Sequence, residues 1–121
     1  MNRRIPPEMN LPSDVPEITA LELKNRMDEG EVPVLVDVRE HFERRIADLP
    51  ERGQLRIPIG ELMPRMKEIA RNGEVVIYCR SGHRSAWATK LLLDRGYAEV
   101  FNLKGGVLAW REDVDPTLQA Y

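Results

Sequence analysis

The feature that most constrains this chain is the stretch Val75-Val76-Ile77-Tyr78-Cys79-Arg80-Ser81-Gly82-His83-Arg84-Ser85. Three β-favouring aliphatics and a tyrosine run straight into the only cysteine of the protein. The run reads as a buried strand, followed by a short polar loop holding Gly82 and then a helical pattern starting at Ser85. A strand that empties into such a loop and a helix start makes an anion cradle. Loop amides and the helix N-terminus point at one spot, and the helix dipole adds partial positive charge there. The same features favour a thiolate over a thiol. Arg80 and Arg84 add full positive charges at the rim. A free cysteine is more often a small buried hydrophobe. Cys79, however, stands at the end of its strand, with two arginines and a glycine within the next five residues, so it is read as a candidate nucleophile.

The rest of the chain alternates helix and strand. Residues 1–16 contain Pro6, Pro7, Pro12 and Pro16 and read as an extended or flexible arm. Arg3 and Arg4 read as part of a solvated tail more readily than as a site for an anionic partner. Glu17-Ile18 fits a brief edge strand. Thr19 and Glu22 have the spacing of a capping box, opening a helix with Leu21, Leu23 and Met27 that stops near Gly30. Val34-Leu35-Val36-Asp37-Val38 reads as a parallel strand buried on both faces. Asp37 and Arg39 lie at its C-terminal end, where sites form in open α/β sheets, and a supporting, ion-paired role is expected for both.

Residues 40–47 predict a short helix with Phe42 and Ile46 on one face, and residues 50–53 a turn. Leu55-Arg56-Ile57 predicts a strand. Leu62, Met66 and Ile69 have helical spacing, with Pro64 tolerable in the first turn. After the Cys79 loop, a helix is expected to end at Gly96, with Trp87 packed at the core or surface. Val100-Phe101-Asn102-Leu103 is the last strand, and Gly105-Gly106 turns tightly into a final helix from Val107 whose Trp110 fills the core. Residues 17–112 form the expected domain, and residues 113–121 are expected to be a loose or surface-lying tail. The order implies an α/β sandwich of three layers, with a mainly parallel sheet of about five strands and helices on both faces.

The 121 residues fit one domain. With 42% hydrophobic and 31% charged residues, a soluble globular protein is expected. The net charge of -2 gives no basic excess for nucleic acid, and no apolar run approaches a membrane span. One cysteine excludes an internal disulfide and, with no signal-peptide pattern, points to the cytoplasm. Cys79, His41 and His83 are too few for the usual zinc site, so neither metal nor cofactor is expected.

Three motifs, in order over roughly Ile18 to Trp110, resemble the single-domain rhodaneses, a family of persulfide-forming sulfurtransferases. They are Asp37-Val38-Arg39-Glu40, Cys79-Arg80-Ser81-Gly82-His83-Arg84-Ser85 and Gly105-Gly106-Val107-Leu108-Ala109-Trp110. Ile57-Pro58-Ile59-Gly60-Glu61-Leu62 and residues 113–121 are similar to one subgroup, the rhodanese domains of adenylyltransferase/sulfurtransferases that act on ubiquitin-like sulfur carriers. One departure is visible: the family often has His-Ile-Pro-Gly-Ala before its third strand. Here Asp48-Leu49-Pro50 is followed by Glu51-Arg52-Gly53-Gln54, a longer turn without the histidine.

The resemblance implies a Cys79 persulfide, loaded by thiosulfate or another sulfane donor and discharged to a thiophilic acceptor. Arg80, Ser81, Gly82, His83, Arg84 and Ser85 would then line the substrate site. The arginines would attract an anionic donor, Ser85 would donate a hydroxyl, and His83 would tune acceptor recognition without acting as a base. Partners would be a small anionic donor and a protein sulfur donor or carrier, the chain itself being a monomer or weak dimer.

Three alternatives remain. The first is a cysteine phosphatase or arsenate reductase of the same fold. Those enzymes carry an arginine six positions after the cysteine, where this chain has Ser85, with Arg84 one place early. The second is a non-catalytic rhodanese-like module. The third is a redox sensor, which would need a partner thiol because no second cysteine is present.

Overall fold

Strands and helices alternate along the computed structural model of this chain, which describes residues 14–121. Residues 1–13, the bulk of the expected arm with Arg3 and Arg4, lie outside the described residues. The strands are β1 (Glu17–Ile18), β2 (Val34–Asp37), β3 (Leu55–Arg56), β4 (Val75–Tyr78) and β5 (Val100–Leu103). The α-helices are α1 (Ala20–Asp28), α2 (Leu62–Arg65), α3 (His83–Asp94) and α4 (Gly106–Asp113).

All pairings are parallel, in the order β1-β5-β4-β2-β3. From β2 the chain steps outward to β3, then returns to the other side of β2 as β4. The carboxyl ends of β2 and β4 therefore flank the point where strand order reverses, the usual place for a site in an open α/β sheet. Asp37 ends β2 and Cys79 follows β4 directly.

Side chains of β4 alternate between two cores, as the period of a strand requires. Val75, Ile77 and Cys79 face a cluster with Leu62, Met66, Ala88 and Leu92 from α2, α3 and the turn after α2. Val76 and Tyr78 face Leu23, Met27, Val107 and Trp110 from α1 and α4. This gives three layers, with α2 and α3 on one face and α1 and α4 on the other. Trp110 is 1% exposed and fills the second core as expected. Burial of each such Leu, Ile or Val contributes about 2 kcal/mol.

Several local expectations hold. The capping box forms: Glu22 N donates to Thr19 Oγ1 at 3.1 Å and Thr19 N to Glu22 Oε1 at 2.8 Å. Among the described residues, no helix is long and apolar enough to cross a membrane.

Others need correction. The short helix expected over residues 40–47 is a 3-10 helix of residues 41–45, and the face with Phe42 is not its buried one. Phe42 is 61% exposed and the buried position is Glu43, because Glu43 has a charged partner to meet. The segment from Leu62 is one α-turn flanked by 3-10 turns. Helix α3 starts at His83, two residues before the expected Ser85, because Gly82 adopts φ 98 and caps it. Helix α4 starts at Gly106 and not at Val107, and the tail after it lies along the surface, with Val114, Leu118 and Tyr121 partly buried against the second core.

The seat of α4 is the tightest contact between layers. Val107 N donates to Cys79 O at 2.9 Å and Leu108 N to Arg80 O at 3.0 Å. These are first-turn amides without intrahelical partners. A Cβ on Gly106 would lie 2.4 Å from Cys79 O and 2.6 Å from Arg80 O, and its φ is +61. Gly106→Ala is therefore expected to cost more than about 2 kcal/mol in urea unfolding, through overpacking and a left-handed backbone. Gly60→Ala, with open space around it, should stay within about 0.5 kcal/mol. Equal midpoints for the two variants would refute this account of the seat.

Candidate active site

The backbone of the Cys79 loop is held from outside, so its amides turn inward. Helix α4 takes the carbonyls of Cys79 and Arg80, as described. Gly82, with φ 98, is packed so closely that an added Cβ would lie 3.1 Å from Gly105 N. Two amides then donate to the Cys79 sulfur, Gly82 N at 3.1 Å and Ser85 N at 3.4 Å, and the Ser85 hydroxyl lies within hydrogen-bond reach of it at 3.3 Å. The cysteine is 1% exposed. Hydrogen bonds and helix dipoles act more strongly where water is excluded. Donors aimed at one atom in this way are the kind of group that stabilises developing negative charge.

The two arginines expected at the rim are differently placed. Arg84 is bound by the Glu43 carboxylate through two contacts, Nη1–Oε2 at 2.8 Å and Nη2–Oε1 at 3.1 Å. This link holds the Arg84 guanidinium above its usual range, against the opposing effect of burial. Arg80 instead donates from Nε to the backbone oxygen of Tyr121 and lies over the Tyr121 ring, 5.2 Å from its centre. Among the described residues, Arg80 pairs with no aspartate or glutamate side chain. Ser81 is half-buried in the loop, and His83 is exposed on the first turn of α3.

Asp37 and Arg39 stand one layer back. Arg39 is fully buried and paired with Asp37, Nε to Oδ1 at 2.9 Å and Nη2 to Oδ2 at 3.0 Å. Asp48 joins the pair, accepting from Arg39, from Tyr78 Oη at 2.7 Å and from Arg56 at 2.8 Å. The residues after Pro50, where the sequence departs from the family pattern, serve this network too: Glu51 pairs with Arg56 at 2.9 Å. Burial and the carboxylates of Asp37 and Asp48 push the Tyr78 hydroxyl well above its usual range. The network reaches the loop through Tyr121, whose hydroxyl accepts from Arg39 at 2.8 Å and donates to Glu43 Oε1 at 2.9 Å.

Sequence reasoning missed Glu43, Asp48, Asn102 and Tyr121. A signal existed for two of them. Glu40 and Glu43 carry capping-box spacing, and that box is present in the 3-10 helix. Asn102 is the one polar residue in the run Val100-Phe101-Asn102-Leu103. It accepts from Ser85 Oγ at 2.5 Å and donates to Gly82 O at 3.2 Å.

With this geometry in place, comparison with known proteins is direct. The chain belongs to the rhodanese-like domain family, whose sequence profile matches residues 19–113. Over 96 residues it is 41% identical to a sulfurtransferase of Allochromatium vinosum, covering 79% of this chain and 88% of that one. It is 30% identical to the adenylyltransferase and sulfurtransferase MOCS3-1 of Zea mays across 100% of this chain but only 27% of the maize protein. Among solved structures, the human single-domain sulfurtransferase TSTD1 superposes with a TM-score of 0.69 at 27% identity, covering 81% of this chain and 96% of the human one. Fold and relatives together support sulfur transfer as the activity at the level of the family.

The Arg84–Glu43 link carries a pH signature. Burial opposes ionisation of Glu43, but Arg84, the Glu40 amide and the Tyr121 hydroxyl outweigh it and lower its carboxyl from 4.5 to about 2. Ionised Glu43 therefore stabilises the fold fully above about pH 4.5, and that contribution fades as pH falls toward 2. Glu43→Gln should destabilise the protein by about 2 kcal/mol at pH 7. In urea titrations the gap to wild type should narrow steadily below pH 4.5. A gap that stayed constant with pH would show that the carboxylate charge is not what holds Arg84.

Proposed function

We propose that this chain is a sulfurtransferase that carries a sulfane sulfur as a persulfide on Cys79, taken from thiosulfate or a persulfide donor. The observation supporting this is the convergence of Gly82 N, Ser85 N and Ser85 Oγ on the Cys79 sulfur at the mouth of β4. The Cys79 thiolate attacks the outer sulfur of the donor. A new S–S bond forms, the donor's S–S bond breaks, and its electron pair leaves with sulfite or a thiolate. A thiophilic acceptor then attacks the outer sulfur, and the pair of the broken bond returns to Cys79. This is covalent catalysis with a ping-pong pattern. In a test tube the acceptor is cyanide, which leaves as thiocyanate. In the cell we propose a small thiol or a protein carrier, in keeping with the maize relative named for both adenylyl and sulfur transfer.

Roles within the loop follow the geometry. Arg80, held by Tyr121 and by no aspartate or glutamate side chain, meets an anionic donor, since planar guanidinium suits the oxygens of thiosulfate. Arg84 and Glu43 brace the loop. Asp37 and Arg39 support it from the second layer, and exposed His83 contacts the acceptor. Residues 17–112 form the working domain, with residues 113–121 strapped beside the loop.

Intact-protein mass after incubation with thiosulfate tests the reading. We expect a gain of one sulfur atom, removed by cyanide or dithiothreitol and absent in Cys79→Ser, whose fold should be unchanged. A sulfur gain that persisted in Cys79→Ser would sink the persulfide mechanism.

Arg80→Ala should raise KM for thiosulfate by about tenfold while changing KM for an uncharged persulfide donor little, as expected for a lost charge-assisted contact. Arg84→Ala should instead lower stability, because it strands the buried Glu43 carboxylate. If Arg84→Ala raised the thiosulfate KM and Arg80→Ala did not, the assignment of the two arginines would be reversed.

A further inference from the structure

Asn102 lies on β5, 2% exposed, directly against the Cys79 loop. Its Nδ2 donates to Gly82 O at 3.2 Å, and its Oδ1 accepts from Ser85 Oγ at 2.5 Å. The first contact fixes which way the amide points, because reversing it would set two oxygens against each other. The Gly82 carbonyl does not depend on Asn102 alone: Ala86 N also donates to it, at 3.1 Å.

A serine hydroxyl has one hydrogen. Here two acceptors compete for it, Asn102 Oδ1 at 2.5 Å and Cys79 Sγ at 3.3 Å. The shorter contact holds the hydrogen at rest, and the hydroxyl then turns a lone pair toward the sulfur. The amides of Gly82 and Ser85 are fixed donors to that sulfur. The hydroxyl is the one donor of the three that can be withdrawn and returned by a rotation.

We propose that Asn102 is a positioning residue for sulfur transfer, holding the Ser85 hydroxyl hydrogen off Cys79 during loading and yielding it to the Cys79 thiolate released on discharge. The inference rests on the persulfide reading above. In loading, a lone pair of Sγ forms the new S–S bond, so a hydrogen bond to Sγ weakens the nucleophile. In discharge, the acceptor takes the outer sulfur and the bonding pair returns to Sγ, so a hydrogen bond there stabilises the leaving group. Negative charge sits on the outer sulfur in the persulfide and on Sγ in the thiolate. A donor aimed at Sγ therefore favours the unloaded state. No proton changes owner, since the hydroxyl only turns.

Single-turnover loading by thiosulfate and discharge by cyanide would be timed separately for wild type, Asn102→Leu, Ser85→Ala and the double variant. Leucine has a similar shape and no acceptor, so Asn102→Leu frees the hydroxyl to rest on the sulfur. Loading should slow and discharge should quicken, each by about fivefold to tenfold, the order expected for one hydrogen bond to a charged atom. In the Ser85→Ala background the same substitution should change either rate by less than about twofold, the mark of two residues acting as one unit. Asn102→Ala removes the same acceptor with a smaller side chain and should shift the two half-reactions in the same opposite directions, a second readout if the leucine variant melts early by circular dichroism. If Asn102→Leu slowed both half-reactions alike, or acted equally with and without the Ser85 hydroxyl, Asn102 would only shape the loop and the proposal would fall. If wild type gained no sulfur from thiosulfate or a persulfide donor, the persulfide reading would fail and this proposal with it.

Discussion

The site depends on one close approach, that of the first turn of α4 to the backbone of Cys79 and Arg80. Two amides of that turn hold the carbonyls of Cys79 and Arg80. With its carbonyls drawn outward, the loop presents Gly82 N and Ser85 N inward, to sulfur. Sheet order makes this possible. β4 and β5 are neighbours, so α3 and α4, which follow them, begin side by side. Glycine at position 106 lets the two backbones touch, since any Cβ would overlap the loop carbonyls. One helix N-terminus faces the sulfur, and the other holds the loop that carries it.

Behind the loop runs a buried polar chain: Arg56, Asp48, Asp37, Arg39, Tyr121, Glu43 and Arg84. Burying so many charges costs solvation, and such networks are weak evidence for stability by themselves. Here every buried side-chain polar atom among the described residues has a partner. A satisfied network has few alternative arrangements, which fixes the loop relative to the sheet. It also explains why the tail is docked: the Tyr121 hydroxyl fills a gap between Arg39 and Glu43 that water would otherwise enter.

How much of this was legible follows from the range of each interaction. Thr19 and Glu22 cap α1 by contacts three residues apart, so the pattern announces itself. The buried strands were legible from their apolar runs, and Cys79 from its place after one of them. The ion pair of Glu43 was not, because its partner Arg84 is 41 positions away and no local rule joins them, the capping-box spacing with Glu40 marking only a helix start. Phe42 misled for the same reason: an apolar neighbour offered an inner face, but satisfying a buried carboxylate with Arg84 outweighed burying a phenyl ring. Tyr121 meets Arg39 across 82 positions and is invisible to any local reading. The helix start at His83 was displaced by Gly82, whose left-handed backbone serves the loop before it serves the helix.

The charge balance around Cys79 has a chemical reason. In the persulfide mechanism proposed above, the sulfur is first nucleophile and then leaving group, and such a sulfur gains little from a strong fixed cation beside it. The more a thiolate is stabilised, the weaker its attack, with a Brønsted slope of about 0.4–0.5. Two arginines aimed at the sulfur would favour discharge at the expense of loading. Glu43 takes up Arg84, and Arg80 turns to Tyr121. The groups within hydrogen-bond distance of the sulfur are two backbone amides and one hydroxyl. Dipoles fixed by the fold stabilise an anion moderately and wherever it sits within the cradle, whereas a full charge would fasten it in one place. Because the amides are fixed by the α4 seat, the hydroxyl rotor is left as the adjustable element, and it is adjustable only because β5 sets an asparagine beside it.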